Sequence, residues 1–580
     1  MEKRWSYRPT PSSEQVERLS RAIHVNETLA CLLIQRGITT FDDAKDFFRP
    51  SLDDLHDPFQ MCGMHEAVQR MTVAMQEKRE KILIYGDYDV DGTTAVSLVY
   101  SFLRNLHPDI DYYIPDRKQE GYGISDQGIA YALERGVTLI ITLDCGTKDL
   151  EKIKKARRQG IDFIVCDHHE PGDQLPEAVA VLNPKRADCP YPFVELSGCG
   201  IGFKLLSAYC VRHGVPLQAL YRYLDMLAIS IAADIVPITG ENRILAHWGM
   251  RKMLEDPCLG IRKLLAAAGH FPDERSGQYT LNISNVVFVV APRLNAAGRM
   301  AHARLVVELL TATDEQEAER IANLLELRNT ERRDYDTQQT QQAMDMIAEE
   351  EDITEETNTT VLYHEAWHKG VVGIMASRCV EKYYRPTVIL TKSNGSLTGS
   401  ARSVDGFDLH AALNECADLL EKFGGHQQAA GLTLSPDKLD QFRLRFEEIV
   451  TRRLTPEQKI PLFEIDCELN FADITPKFWR VLKQFAPFGP GNMNPLFVTR
   501  QVVDAGCVPV GAKIVPPPHL RFRVQQQDSP VMEGIGFGLA HYYPRIADGE
   551  PFQLCYTLEE NHFRGQTRLQ LQVKDVKFDD

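Results

Sequence analysis

Residues 81 to 100 read "KILIYGDYDVDGTTAVSLVY": an apolar run enters three aspartates spaced two apart, Asp87, Asp89 and Asp91, and then Gly92. Further along, apolar runs end in Asp144 of "LDCG", in Asp167, His168 and His169 of "DHH", and in Asp234 of "AADIVP". Carboxylates brought together without counter-charge repel and raise one another's pKa. Divalent cations remove that conflict, and mixed Asp/His donors suit manganese or magnesium better than structural zinc. Two such cations roughly 3.5–4 Å apart, bridged by one carboxylate, form a device for in-line attack on a phosphate. Singly, each element has an ordinary reading, since Asp-Gly is a common turn and an aspartate after a strand is commonly an N-cap. Their recurrence at successive element ends within one domain favours a metal centre.

The elements that must position them follow from hydrophobic pattern. "KILIYG", "IDYYIP", "VTLIITLDCG" and "DFIVCDHH" are short apolar runs separated by helical segments such as "SDQGIAYALERG" and "KDLEKIKKARRQG". This alternation predicts a parallel sheet covered on both faces, with ligands bound outside the carboxyl ends of its strands. The polar segment from Thr313, with a capping box to Gln316, predicts one long bridging helix. A second α/β unit follows ("TTVLYH", "HKGVVGIMASRCVEKY", "PTVIL"). Short alternating strands with Pro and Gly turns from about residue 461 predict an all-β end, a small barrel. The expected divisions are a helical lead at 1–60, a sheet domain at 61–310, a connecting helix at 311–350, a smaller α/β domain at 351–455 and a β-barrel at 456–580.

With 580 residues the chain is too long for one core. Its 43% hydrophobic and 25% charged content is that of a soluble globular protein. No apolar run reaches membrane-span length and the start lacks a secretory apolar segment, so no membrane association is expected. Thirteen cysteines without a CxxC pair fit reduced thiols in the cytoplasm, and argue against a zinc ribbon. A net charge of −16 argues mildly against a nucleic-acid partner, but says nothing about a local basic groove.

In order and spacing, "DYDVDG", "LDCG" and "DHHEP" resemble the DHH phosphoesterase superfamily. "PRLNAAGRM", "WHKGVVGIMASR", "GSARS" and "FGGHQQAAG" resemble the associated DHHA1 domain and its approach. The last region, with "FAPFGPGNMNPLF" and "ENHFRGQTRLQLQV", is similar to the oligonucleotide-binding (OB) barrel found in single-strand-specific exonucleases of that superfamily. The resemblance implies two divalent cations, Mn2+ or Mg2+, held by Asp89, Asp91, Asp144, His168 and Asp234, with Asp144 as the bridge. It implies that Asp167 orients the histidines and that His169 faces the reacting phosphate. Asp87 matches the motif but lies one pleat step earlier, and is expected to be structural. Many relatives carry a histidine where this chain has Tyr85, so one metal site is expected to be weaker or water-filled.

For phosphate recognition the resemblance implies a clamp on a terminal 5′-phosphate by Arg117, Ser400 and Arg402, arginine being suited to bidentate phosphate binding. Arg293 and Arg299 are candidates for the strand or the scissile phosphate. His368 and Arg378 bracket a helix whose amino end can hold an anion, and His426 lies beside two glycines that allow close backbone approach. The expected function is 5′→3′ hydrolysis of single-stranded DNA to 5′-mononucleotides, in recombination and repair. The alternatives are a phosphodiesterase of short oligonucleotides or cyclic dinucleotides, and a catalytically inactive replication scaffold. The family suggests single-strand-binding protein and a RecQ-type helicase as partners, and a monomer is expected.

Overall fold

The computed structural model describes residues 3–274, 276–349, 357–511, 516–563 and 566–579. Residues 350–356, which include the end of the expected connecting helix, lie outside the described residues. So do the tip of the "VPVGAKI" segment (512–515) and residues 564–565 of "ENHFRGQ".

Five parallel strands form the first sheet, in the order Ile110–Tyr113, Ile82–Gly86, Leu139–Leu143, Asp162–Cys166 and Ala180–Leu182. Alternate residues serve two cores, because successive side chains of a strand point to opposite faces. Ile82, Ile84, Leu139 and Ile141 pack with the Val90–Leu103 and Gly198–His213 helices, while Leu83, Tyr85, Ile140 and Phe163 face the Asp126–Glu134 and Leu150–Arg157 helices. The first strand sends its chain to a neighbour on one side, and the third strand pairs on the other. Their carboxyl ends therefore part at a topological switch point, where open α/β sheets leave a crevice.

Asp234, read from the sequence as closing an apolar run among strand ends, instead follows a helix. The apolar run is the Leu224–Ala233 helix, hydrophobic all round because it packs between the Val90–Leu103 and Gly240–Glu255 helices.

The bridging helix runs from Glu315 to Glu349, about 52 Å at 1.5 Å per residue. Its cap is one residue later than expected: the Asp314 carboxylate accepts the Glu317 amide at 2.8 Å. Ala318, Ile321, Ala322 and Leu325 enter the core of the first domain, and Ala343 and Ile347 enter a core with Trp367 and Met375 of the second. The second domain has a five-stranded mixed sheet in the order Lys422–Gly425, Ala429–Leu434, Ser396–Arg402, Thr387–Ser393 and Thr360–Tyr363.

The last region is a β-barrel. Strands Phe497–Asp504, Phe552–Phe563, Gln566–Phe578, Met532–Gly536 and His519–Gln525 follow one another, and the Val503–Gln525 pairing closes the ring. The lead is not a free-standing preamble. Arg4–Tyr7 pairs in parallel with Leu462–Ile465, and Leu29, Leu32, Leu33 and Phe47 bury in one core with Phe478, Phe485, Phe497 and Phe522. A helical pattern does not say which partner its apolar face meets.

A buried ion pair fastens the lead's exit to the first domain. The Lys204 ammonium donates to Glu241 at 2.8 Å and to the His56 carbonyl, while Tyr191 donates to the same carboxylate at 2.6 Å. Glu241→Leu leaves the ammonium unpaired in the core and should cost about 3–5 kcal/mol. The check is a clearly lower melting midpoint, with Glu241→Gln, which keeps one acceptor, losing less.

Candidate metal centre and anion cleft

Asp89 ends the turn after the first strand by capping the next helix, accepting the Gly92 amide at 2.9 Å. A Cβ at residue 92 would lie 2.5 Å from the Asp87 carbonyl oxygen, so this turn requires glycine. Asp91, in the first turn of that helix, aims at the amino end of the Gly198–His213 helix. It accepts the Gly198 and Cys199 amides at 2.6 and 2.8 Å and the Ser230 hydroxyl at 2.7 Å. Asp144 stands across the switch point with φ +60°, a left-handed conformation uncommon outside glycine and concentrated at functional sites. Gly198 makes room for it, since a Cβ there would lie 2.6 Å from the Asp144 Cβ.

Asp87 requires a correction. Strand alternation stops at Gly86, so pleat counting no longer says where Asp87 points, and its donor oxygen lies within 4.8 Å of donors from Asp89 and Asp144. Tyr85 faces the opposite core, its hydroxyl donating to the Gly123 carbonyl at 3.0 Å. Position 85 therefore does not face the cluster, and Asp87 supplies the third carboxylate on that side.

His168 is the centre of a second set. Its Nε2 lies 3.2 Å from Asp144, 3.5 Å from Asp234 and 3.8 Å from Asp91. Burial pushes the His168 pKa down, which keeps the imidazole neutral and able to ligate. Burial works against ionisation of Asp167 too. The hydrogen bond and charge of His169 and the Thr147 amide outweigh it and bring Asp167 down to about 2. Asp167 thus holds His169 Nδ1 at 2.8 Å, and burial notwithstanding, the His169 pKa is raised by that partner. The Tyr122 hydroxyl lies 3.0 Å from the same nitrogen. Tyr122 escaped the sequence reading, and its only signal was an aromatic between two glycines in "EGYG".

Burial first, and then neighbouring carboxylates, push Asp87 and Asp144 well above the ordinary range, raise Asp89 and lift Asp234 to about 9. Among the described residues one buried oxygen each of Asp87 and Asp144 has no hydrogen-bond partner. Orphaned buried oxygens beside neutral imidazole, all within a few ångströms, are a donor set that fits hard divalent cations.

Next to this cluster a cavity of about 420 Å³ opens between the first and second domains. Arg117, Lys118 and Arg299 line it from one side and Lys369, Ser400 and Arg402 from the other, with no carboxylate among the described lining residues. Arg402 donates to Ser400 Oγ at 2.6 Å, and Arg299 to the Gly370 carbonyl at 2.8 Å. Burial, and then the repulsion of Arg117, Arg332 and Arg402, lowers Arg299 to about 10, while burial and Arg117 lower Arg402. The Val372–Tyr383 helix starts at this cavity without a side-chain cap, and Gly373 lies against Arg402 and Ser400. Crowded guanidinium groups beside an uncapped helix start suit a phosphate. Lys118 and Lys369 were missed although each adjoins a residue the sequence had singled out.

Other candidates lie apart from this group. Arg293 is buried and paired with Glu326 of the bridging helix, and donates to the Val289 carbonyl at 2.7 Å, so its fork is spent on structure. Arg378 pairs with Asp336 of the same helix at 2.8 Å. His368 stacks on Tyr335 at 5.3 Å and accepts the Gly370 amide, which shapes the cavity wall. His426, at an exposed hairpin tip, feels the charges of His169 and Lys185 across the cleft, which add to burial in lowering its pKa.

Asp144→Asn removes a charge from the most crowded point of the cluster. In chelator its melting midpoint should exceed that of the wild type, and manganese should raise it far less. A variant that gains as much from manganese as the wild type would remove Asp144 from the donor set.

Three family models match the chain: the DHH family, N-terminal domain over residues 81–231, the DHHA1 domain over 356–452 and the RecJ OB domain over 465–575. The chain is 36% identical to the single-stranded-DNA-specific exonuclease RecJ of Bacillus subtilis, over 99% of this chain and 70% of that protein. It is 34% identical to the Escherichia coli protein of the same name, over 89% and 90%. Among solved structures it is similar to Thermus thermophilus RecJ in complex with Mn2+, with TM-score 0.84 and 26% identity over 100% of this chain and 80% of that one. The same protein is also known in complex with Mg2+, with TM-score 0.78, 25% identity and coverage of 100% and 79%. With these likenesses spanning all its domains, the chain belongs to the RecJ family of single-stranded-DNA-specific exonucleases.

Proposed function

We propose that the chain is a metal-dependent exonuclease that removes 5′-mononucleotides from single-stranded DNA, working from the 5′ end. The observation that carries this reading is the cation-lined cavity, with no carboxylate among its described lining residues, which Tyr88 and the charge of Arg117 on Asp87 connect to the carboxylate and imidazole cluster. One cation would be held by Asp91, His168, Asp234 and Asp144, the other by Asp87, Asp89 and Asp144, so that Asp144 is shared. When bound, the cations supply charge neutralisation and activation of the attacking water.

The residues do the rest. Arg117, Ser400, Arg402 and Arg299 hold the terminal 5′-phosphate and so place the next phosphodiester at the cluster. The bond broken is that between phosphorus and the 3′-oxygen of the terminal nucleotide. His169, oriented by Asp167, donates a hydrogen bond to the reacting phosphate and stabilises the charge that develops there. Hydrolysis leaves a new 5′-phosphate on the shortened strand, which is the group the cavity accepts in the next cycle. An inactive scaffold would have lost donors, and the Asp or His that this chain carries at every one of these positions supports the active reading. The downstream strand is gripped by the barrel through stacking and charge. Single-strand-binding protein and a RecQ-type helicase are the protein partners of this reading, and the cytoplasm its compartment. Among the described residues no helix is long and apolar enough to cross a membrane.

A charge-assisted phosphate contact contributes on the order of 1.5–3 kcal/mol, so losing one should cost about ten- to a hundredfold in kcat/KM. Arg402→Ala should show that loss on 5′-phosphorylated oligonucleotides and much less on 5′-hydroxyl ones. Both enzymes are compared on both ends at one salt concentration, because phosphate contacts are salt-sensitive. An unchanged preference for the phosphorylated end would falsify the clamp, even with lower overall activity.

A further inference from the structure

The segment after Asp234 is held in a conformation that its own sequence disfavours. Ile235 has φ +59° and is largely exposed, and a β-branched residue in the left-handed region is a backbone outlier. Such a conformation persists only where surrounding contacts over-determine it. Part of the hold is local, since Asn242 donates to the Pro237 carbonyl at 3.0 Å. The rest comes from far along the chain, from the "FAPFGPGNM" loop that leads into the barrel.

The Ile238 amide donates to the Pro490 carbonyl at 2.7 Å. Gly489 is so close to Ile238 that an added Cβ would lie 2.6 Å from its Cδ1, and one at Gly491 would lie 2.8 Å from Thr239 Cγ2. Arg243, at the start of the next helix, donates to the Phe485 and Ala486 carbonyls at 2.8 and 3.2 Å. The loop is itself braced by Asn492, whose amide donates to the Phe485 and Pro487 carbonyls at 2.8 and 2.9 Å and whose oxygen accepts from Arg36 at 2.9 Å.

We propose that the Phe485–Asn492 loop is a positioning element of the metal centre: by pinning Ile238 and Arg243 it holds the strained Asp234–Ile235 turn and so places the Asp234 carboxylate. The inference rests on the reading of Asp234 as a cation donor. It makes the loop before the barrel part of the metal centre's support, beyond any grip on the strand.

The test is Mn2+ binding to the full chain without substrate, followed by the electron paramagnetic resonance signal of free Mn2+, beside turnover of the dinucleotide pTpT. Outer contacts that orient donors typically cost 10–100-fold in metal affinity when lost, so Gly489→Ala and Asn492→Ala should each weaken Mn2+ binding about tenfold or more. Turnover of pTpT should fall at limiting Mn2+ and recover at high Mn2+. Ile238→Ala, which removes the atoms that an added Cβ would meet, should restore Mn2+ affinity when combined with Gly489→Ala, relative to Ile238→Ala alone. Asn492→Ala adds no bulk and serves where Gly489→Ala fails to fold. Wild-type Mn2+ affinity in a folded variant, with or without a lower melting midpoint, would overturn the proposal. Asp234→Asn is the separate control. If it leaves Mn2+ binding intact, the reading of Asp234 as a donor fails, whatever the loop variants do.

Discussion

Negative charge gathered where a buried sheet opens sets the terms for the whole molecule. Asp87, Asp89, Asp91, Asp144 and Asp234 reach one crevice, and burial adds to their mutual repulsion. Among the described residues the ion-pair partners of Asp91, Asp144 and Asp234 are histidines and not lysine or arginine, which would compete with cations for the same oxygens. The protein answers with backbone. Asp89 accepts the Gly92 amide, and the amino end of the Gly198–His213 helix receives Asp91. Amides fix the carboxylates without neutralising them, and they need the close backbone approach that Gly92 and Gly198 permit.

Positive charge is held a short distance away and is divided between two domains. Arg117 and Arg299 come from the sheet domain, Ser400 and Arg402 from the second sheet, and the cavity exists only while the two are held in register. The Glu315–Glu349 helix does that. Each end sits in a different hydrophobic core, and Arg293–Glu326 and Arg378–Asp336 fasten it to both sides. Two arginines of the motif regions therefore act on the cavity from behind, by fastening the helix that joins its halves.

The lead and the barrel share one core, so the end of the chain folds on its beginning. Arg243 joins this body to the sheet domain through carbonyls of both, Phe47 on one side and Phe485 on the other. Burial lowers its pKa to about 9, and the carbonyl bonds are what satisfy the charge there. The lead, the barrel and the sheet domain are thus mechanically continuous.

The sequence by itself determined the parallel sheet, the bridging helix and the β-rich end, because apolar period and turn residues are local properties of a chain. It also marked Asp89, Asp91, Asp144, His168 and Asp234, whose types recur after apolar runs. Only the tertiary structure decided that Asp87 joins them, since pleat counting loses its meaning once the strand ends at Gly86. Only it sorted the arginines. Arg299 and Arg402 meet in one cavity, while Arg293 and Arg378 find carboxylates on the bridging helix, and nothing local distinguishes a guanidinium that will be paired from one that will not. Tyr122 beside His169, Lys118 and Lys369 in the cavity, and the Gly489–Asn492 loop against Ile238 and Thr239 are contacts between distant segments. A side chain's chemistry is written in its own residue, but its neighbours are set by how the domains close on one another.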